Sequence, residues 1–249
     1  FDSFEGLLDR EIIATDLEKK QIELMRFYGD DLKDVSEIFA TQKDNPTLAK
    51  NSPPHAGAVS WVRGLVARIK EPMEKLQGLN KLVTETDESK DIQKQYDVLM
   101  ASLIAYEENE IKLWSAEVEA TGEEKLKKNL LAPDEKGEIP GILRVNFDPM
   151  LVRLLREVKY FLLLGVDVPA SALKVYERSE TLRQQTGNLD LIVVTYNTML
   201  RNLLDVEKPL VEKRLKVIED ALQKGISKLN WNSHKINDYI QEVMGFVKE

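Results

Sequence analysis

Cysteine is absent from the 249 residues, which excludes disulfides, thiolate zinc sites and cysteine nucleophiles. Histidine occurs only twice, at His55 and His234, far apart in sequence, so a multi-histidine metal centre lacks its ligands. No apolar run reaches the roughly 18 residues of a membrane span. No signal-peptide pattern opens the chain. The triplet Asn45-Pro46-Thr47 carries proline where glycosylation forbids it. Glycine (12) and proline (9) are sparse and 31% of residues are charged, a helix-rich balance. The net charge of -8 disfavours nucleic acid and anionic membrane as partners of the surface as a whole. The length suits one large domain or two small ones, and a compact globule of this mass buries about 73% of its unfolded surface. The first residues, Phe1-Asp2-Ser3, lack a methionine, and the last, Gly245 to Glu249, fall in an expected helix. Both ends are expected to be cuts in a longer polypeptide.

The motifs of common chemistry are missing as well. There is no Gly-x-x-x-x-Gly-Lys-Ser/Thr and no Gly-x-Gly-x-x-Gly, so no phosphate cradle is legible. His-Glu-x-x-His and Gly-x-Ser-x-Gly are absent. The 43 acidic residues are the background expected of exposed helix faces. His55 and His234 read as surface or capping residues. Trp61, Trp114 and Trp231 read as core or interface anchors. No catalytic, cofactor-binding or metal-binding residue is assigned.

What is present is helical period. Leu8, Ile12, Thr15, Ile22, Met25, Leu32, Val35, Ile38 and Phe39 recur at steps near three and four or their sum, predicting a helix over 5–42. Gly29-Asp30-Asp31 is a place for a bend, and Asp44-Asn45-Pro46 is a stop. A second helix is expected from Ala56, with Val59, Val62, Val66 and Ile69 on one stripe and a kink or break at Pro72. Gly57 and Gly64 share about one face, either to admit a neighbouring helix or simply tolerated. A long helix over 87–120 carries Tyr96, Leu99, Met100, Leu103, Ile104, Ile111, Trp114 and Val118, with Glu107, Glu108, Glu110, Glu117 and Glu119 on a solvated face.

The period changes to two at Leu143, Val145 and Phe147. With Leu130-Leu131 and the turn-forming run Pro133 to Gly137, this predicts a short β-hairpin near 129–147 that must lie on helices. Asp148 and Pro149 suit a helix N-cap and first position. Leu151, Leu154, Leu155, Val158, Phe161 and Leu162 face inward, an Arg153–Glu157 pair lies opposite, and Gly165 ends the helix. One or two helices follow over 170–207, with Gly187-Asn188 as a joint or a tolerated mid-helix glycine and Leu189, Ile192, Val193, Tyr196, Leu200, Leu203 and Val206 on a stripe, then a kink at Pro209 and a further helix to Gly225 carrying Leu210, Val211, Leu215, Ile218 and Leu222. A link with Leu229 and Trp231 leads to a last helix capped by Ser233. The expected fold is mainly α: elongated helical bundles of about seven helices with one hairpin. Residues 1–128 form an N-terminal helical part, 129–148 the hairpin and 149–249 a C-terminal helical part.

Three blocks resemble a known family. Asn51-Ser52-Pro53-Pro54-His55-Ala56-Gly57-Ala58-Val59-Ser60-Trp61 is similar to the Asn-x-Pro-Pro-x-Ala-Gly-x-x-x-Trp signature of the dynein heavy-chain tail. Val145 to Pro149 and then Leu154 to Tyr160 (Leu-Leu-Arg-Glu-Val-Lys-Tyr) resemble the most distinctive block of that region. Leu229-Asn230-Trp231 resembles a third. The blocks stand in family order, and their style resembles axonemal, outer-arm chains. His55 departs from the apolar residue usual there.

The resemblance implies a non-catalytic segment of a motor whose ATPase ring, stalk and linker lie elsewhere. It implies no cofactor. The implied partners are intermediate chains, light chains, a neighbouring heavy chain and a docking complex on the doublet microtubule, with neither nucleic acid nor membrane. The implied place is the ciliary or flagellar axoneme. The structural and interaction candidates are Pro53, Pro54, Gly57, Trp61, Phe147, Asp148, Pro149, Arg156, Glu157, Tyr160 and Trp231. Arg153, Arg156 and Lys159 are either contacts for acidic partners or a solvated face. The alternatives are the tail of a cytoplasmic or inner-arm dynein, or a free-standing helical ligand-binding bundle.

Overall fold

The computed structural model describes residues 10–76, 86–135, 137, 139–204 and 206–248. The expected helix start at residue 5, with Leu8, lies outside them, as do the side chain of Ile12, Lys136 and Glu249. The described residues form eight helices and one two-stranded antiparallel sheet. The chain divides into two compact units whose sequence boundary, between Trp114 and Ser115, falls within the third helix.

The first unit contains α1 (Arg10–Gln42), α2 (Pro54–Leu76) and α3, which begins at Asp87 and runs to Lys125. Met25, Tyr28, Leu32 and Val35 of α1 meet Val62, Leu65, Ile69, Met73 and Leu76 of α2, and Ile92, Leu99 and Leu103 of α3. Each series steps by three, four or seven, so one stripe per helix faces a shared core. Burying each Leu, Ile or Val contributes about 1.5–3 kcal/mol. The Tyr28 hydroxyl donates to Ile69 O at 2.8 Å within that core, and burial raises its pKa. Burial turns the phenol's need for a partner into a specific α1–α2 link.

Three expectations are corrected here. α1 runs unbroken through Gly29, where a Cβ would lie 3.2 Å from the Ile92 side chain, so the glycine serves close approach of α3 rather than a bend. Of the kink or break expected at Pro72, the break does not occur: α2 runs on to Leu76, because Met73 and Leu76 are buried and hold the last turn despite the missing amide. Ile104 is exposed rather than inward.

The second unit opens with the end of α3 and the hairpin, β1 (Leu131–Pro133) and β2 (Leu143–Val145), in the register Leu131↔Val145, Ala132↔Arg144 and Pro133↔Leu143. Then follow α4 (Pro149–Leu163), α5 (Ala170–Glu177), α6 (Ser179–Asn202), α7 (Lys208–Ser227) and α8 (Ile236–Lys248). Helix α8 packs against both α6 and α7, β2 lies on α6 and β1 on α7. The hairpin is therefore supported by helices, as so short a ribbon requires. α4 ends in a left-handed Gly165 (φ 68°), with Gly165 N–H donating to Leu162 O at 3.1 Å and Val166 N–H to Phe161 O at 3.0 Å. This paired C-terminal closure needs a residue without a Cβ penalty.

The break in 170–207 falls at Arg178, and Gly187 sits within α6. Pro209 stands in the first turn of α7 rather than kinking a continuous helix. Leu162, Val206 and Leu210 are exposed, so the inward stripes are narrower than the spacing suggested. Glu157 is only 1% exposed and lies with the apolar face of α4, not opposite it. Ser233 turns the link before α8 instead of capping it: its hydroxyl accepts from Asn230 N–H at 3.0 Å, and α8 begins only at Ile236.

Candidate functional site

In the first unit the candidates gather at the start of α2. Asn51 takes a left-handed backbone (φ 66°), and Ser52 N–H closes the turn onto Ala49 O at 3.0 Å. Pro53 is buried, and its carbonyl accepts from Gly57 N–H at 2.8 Å, while Pro54 is the first residue of the helix. A Cβ on Gly57 would lie 3.1 Å from Ser52 Cβ and 3.2 Å from Leu48 Cδ1. The close neighbour of Gly57 is thus the preceding loop, not another helix, and Gly64 faces open space.

Trp61 is half-buried in an aromatic cluster. Its ring stacks on Phe39 at 6.2 Å and meets Tyr106 edge-on at 6.0 Å, and Phe39 meets Tyr106 at 5.6 Å and 90°. These rings join α1, α2 and α3. The Tyr106 hydroxyl donates to Lys43 O at 2.9 Å, and burial, aided by Glu110, pushes its pKa up to about 12. A phenol held neutral serves as an anchor rather than as an acid or base near neutrality.

Ionic contacts reinforce the same helices. His55 Nδ1 lies 2.9 Å from Glu110 Oε2, with the side chains only 19% and 18% exposed. Arg63 Nε donates to Glu107 Oε1 at 2.8 Å. Arg68 pairs with Asp31, and Arg26 Nε donates to Glu88 Oε1 at 2.8 Å. The expectation of surface roles for His55, Glu107 and Glu110 is corrected. They couple α2 to α3, with partners too distant in sequence for local spacing to suggest.

In the second unit Phe147, Asp148, Pro149 and Trp231 converge at the exit of the hairpin. Trp231 is fully buried. Its Nε1–H donates to Asn146 O at 2.9 Å, and its ring meets Phe147 edge-on. Arg178, at the α5–α6 joint, donates to Trp231 O at 2.7 Å and to Asn232 Oδ1 at 3.1 Å. The Asn129 side chain donates to Ile226 O at 2.5 Å, and Asn146 donates to Leu130 O and Asn129 O at 2.8 and 3.1 Å. Asn197 of α6 closes the free edge of β2, accepting from Leu143 N–H at 3.0 Å and donating to Leu143 O at 2.8 Å. These two bonds satisfy the outward-facing backbone groups of Leu143.

Asp148 caps α4 by accepting from Met150 N–H at 2.8 Å, with Pro149 in the first turn. Its other oxygen lies 2.9 Å from Lys128 Nζ. Burial pushes its pKa up, but the bonds from Lys128 and Met150 and the charges of Lys128 and Lys125 outweigh it and hold the carboxyl below its usual value. Farther along α4, Arg156 is exposed, Glu157 buried and Tyr160 half-buried. Spacing pointed to Trp231 but not to Arg178, Asn129 or Asn197, whose partners are backbone groups on other elements.

Among the described residues no three His, Asp or Glu side chains approach as a metal-binding group, and no helix is long and apolar enough to cross a membrane. What the arrangement does chemically is to hold backbone turns and helix ends in one geometry.

The family profile described as dynein heavy chain, N-terminal region 1, matches residues 1–239. The chain is 44% identical over 278 aligned positions to the dynein beta chain of the flagellar outer arm of Chlamydomonas reinhardtii, which covers 100% of this chain and 6% of that protein. It is 33% identical over 260 positions to the ciliary dynein beta chain of Heliocidaris crassispina, with the same two shares of 100% and 6%. With dynein axonemal heavy chain 9 of Homo sapiens the identity is 29% over 252 positions, 98% of this chain and 6% of the relative. The chain thus spans about 6% of the length of these curated relatives.

Proposed function

The chain belongs to the dynein heavy-chain family, in its N-terminal region 1, and from that premise we propose that it is a non-catalytic structural and interaction segment of an axonemal dynein tail. Its place is the axoneme of a cilium or flagellum. Its work is mechanical: packed helices carry load between the motor, elsewhere in the heavy chain, and the anchor on the doublet microtubule. Its surface holds intermediate chains, light chains and a neighbouring heavy chain. The observation that carries this reading is the likeness along the whole chain to flagellar outer-arm and ciliary beta chains.

The packing described above fits the role. Long helices with stepped cores resist bending, and aromatic and ionic links between them oppose sliding. The candidate residues act as anchors: Trp61 among three helices, Trp231 beneath the hairpin exit, Asp148 and Pro149 at a helix start.

The test is cross-linking of the intact dynein isolated from axonemes, followed by peptide mapping. Cross-links from residues 1–249 to intermediate, light or neighbouring heavy chains support the reading. A region that cross-links to none of them, or a purified segment that hydrolyses ATP, overturns it.

A further inference from the structure

The end of α3 opens the second unit and α8 closes it, so tension along the chain enters that unit at one helix and leaves at the other. We propose that the link between α7 and α8 is a mechanical clasp, which stops tension arriving through α8 from opening the rest of the unit. The inference rests on the load-carrying reading above and names the residues that meet the load.

Entry and exit lie side by side. Residues 129–130 follow α3, and residues 229–230 precede α8. Leu130 N–H donates to Leu229 O at 3.1 Å, and Asn129 bridges Asn230 in the antiparallel sense. Antiparallel pairing places Lys128 and Trp231 at the same end of this contact. A pull on α3 and α8 therefore parts the two segments from that end and loads their bonds one after another. Bonds loaded singly give way at lower force than bonds that share the load, so the pairing alone is weak.

The fold concentrates bonds at the vulnerable end. The buried Trp231 donates from Nε1–H to Asn146 O at 2.9 Å, and Asn146 Nδ2 donates onward to Asn129 O at 3.1 Å. These two bonds tie exit to entry through the hairpin. Arg178 donates to Trp231 O at 2.7 Å and to Asn232 Oδ1 at 3.1 Å, a hold from the α5–α6 joint made by a charged donor. On the entry side Lys128 Nζ lies 2.9 Å from Asp148 Oδ2. The link is also braced within itself, since Asn232 N–H donates to Asn230 Oδ1 and Asn230 N–H to Ser233 Oγ, both at 3.0 Å. Drawing residue 232 outward must strain the indole, the guanidinium and this turn together. Beyond the link, α8 is held by a stripe of Ile236, Tyr239, Ile240 and Val243. A pull from its far end peels that stripe turn by turn, and the clasp is where peeling halts.

The experiment pulls the intact heavy chain in an optical trap, with DNA handles joined to azide-bearing residues placed at positions 119 and 235. Glu119 and Lys235 are both exposed, and force between them meets the clasp without first crossing α8. The readout is the lifetime of the closed state at constant force, which is set by the barrier to opening. Arg178→Met keeps an unbranched stem and loses both bonds, and Trp231→Phe loses the indole donor. Each should shorten the lifetime at least about tenfold, with circular dichroism unchanged. With the second handle moved to position 159, on the exposed side of α4, the load bypasses residues 229–232. The same variants should then shorten the lifetime less than about threefold. Arg183→Ala, which removes an exposed pair with Glu180 on α6, should change neither lifetime. Equal shortening in both pulling directions, the mark of a merely structural role, overturns the proposal, as does indifference to both variants through position 235. If the clasp fails this test while subunits cross-link to residues 1–249, the scaffold reading stands. If the clasp passes and no subunit cross-links, the scaffold reading falls alone.

Discussion

The indole of Trp231 stands edge-on to the ring of Phe147, with 4.8 Å between centroids and 84° between planes. Phe147 directly follows the residue whose carbonyl accepts the indole N–H. One tryptophan thus holds both a ring and a backbone group at the hairpin exit, 85 residues away in sequence. Edge-to-face pairs add about 0.5–1.5 kcal/mol beyond buried area.

Replacing Trp231 by alanine should therefore cost about 3–5 kcal/mol, through the cavity and the orphaned Asn146 carbonyl. Trp231→Phe keeps most of the ring but not the donor, and should cost about 1–3 kcal/mol. Urea unfolding followed by circular dichroism reads both. A cost for the phenylalanine variant equal to that for alanine would show that the hydrogen bond, not the ring, carries the stabilisation.

Trp61→Ala is expected to cost less, about 1.5–3 kcal/mol, because Trp61 is half-buried and its aromatic contacts are shared with Phe39 and Tyr106. The two variants rank opposite faces of one sequence-level expectation, which treated the tryptophans alike as anchors. The melting temperatures of the two alanine variants check the ranking, and it fails if Trp61→Ala is the more damaging.

Gly225 makes room for Tyr239. A Cβ built on Gly225 would collide with the Tyr239 hydroxyl and come 3.0 Å from its Cζ, so α7 and α8 would have to separate. Gly225→Ala should destabilise by about 1–3 kcal/mol despite alanine's better helix propensity. Tyr239→Phe removes the colliding oxygen, whose hydrogen bond to Leu222 O is long at 3.5 Å. The double variant Gly225→Ala/Tyr239→Phe should recover a good part of the loss in a thermodynamic cycle. Strictly additive costs would show that the clash is not the cause.

These positions show what a sequence can and cannot disclose. The period-two run Leu143–Phe147, the Asp148-Pro149 start and the Gly165 stop were legible because each depends on neighbours within a few residues. The stripes of α1 to α3 were legible for the same reason, while the breadth of the stripes in the second unit was not: Leu162, Val206 and Leu210 share the spacing of core residues but are exposed. His55 with Glu110, Arg178 with Trp231 and Asn197 with Leu143 lie 53 to 55 residues apart. No local spacing encodes such pairs. The buried Glu157 was misread because a charge at helical spacing from Arg153 ordinarily signals a solvated pair.

The cap at Asp148 makes the second unit sensitive to acid. Its folded carboxyl titrates below the ordinary 3.8, with burial opposing and Lys128, Met150 and Lys125 together prevailing. A depressed carboxyl pKa means that the unfolded state binds the proton more readily. The stabilisation is thus complete above the unfolded value, near 3.8, and disappears as pH falls through the lower folded value. Asp148→Ala should cost about 0.5–2 kcal/mol at neutral pH and flatten the acid limb of the stability curve. Asp148→Asn keeps a capping oxygen without the charge, so it should retain most of the cap at neutral pH and also flatten that limb. Denaturation curves at pH values from neutral down to the acid limb separate the two effects. An Asn variant whose acid limb matches the parent would place the acid sensitivity in another carboxylate.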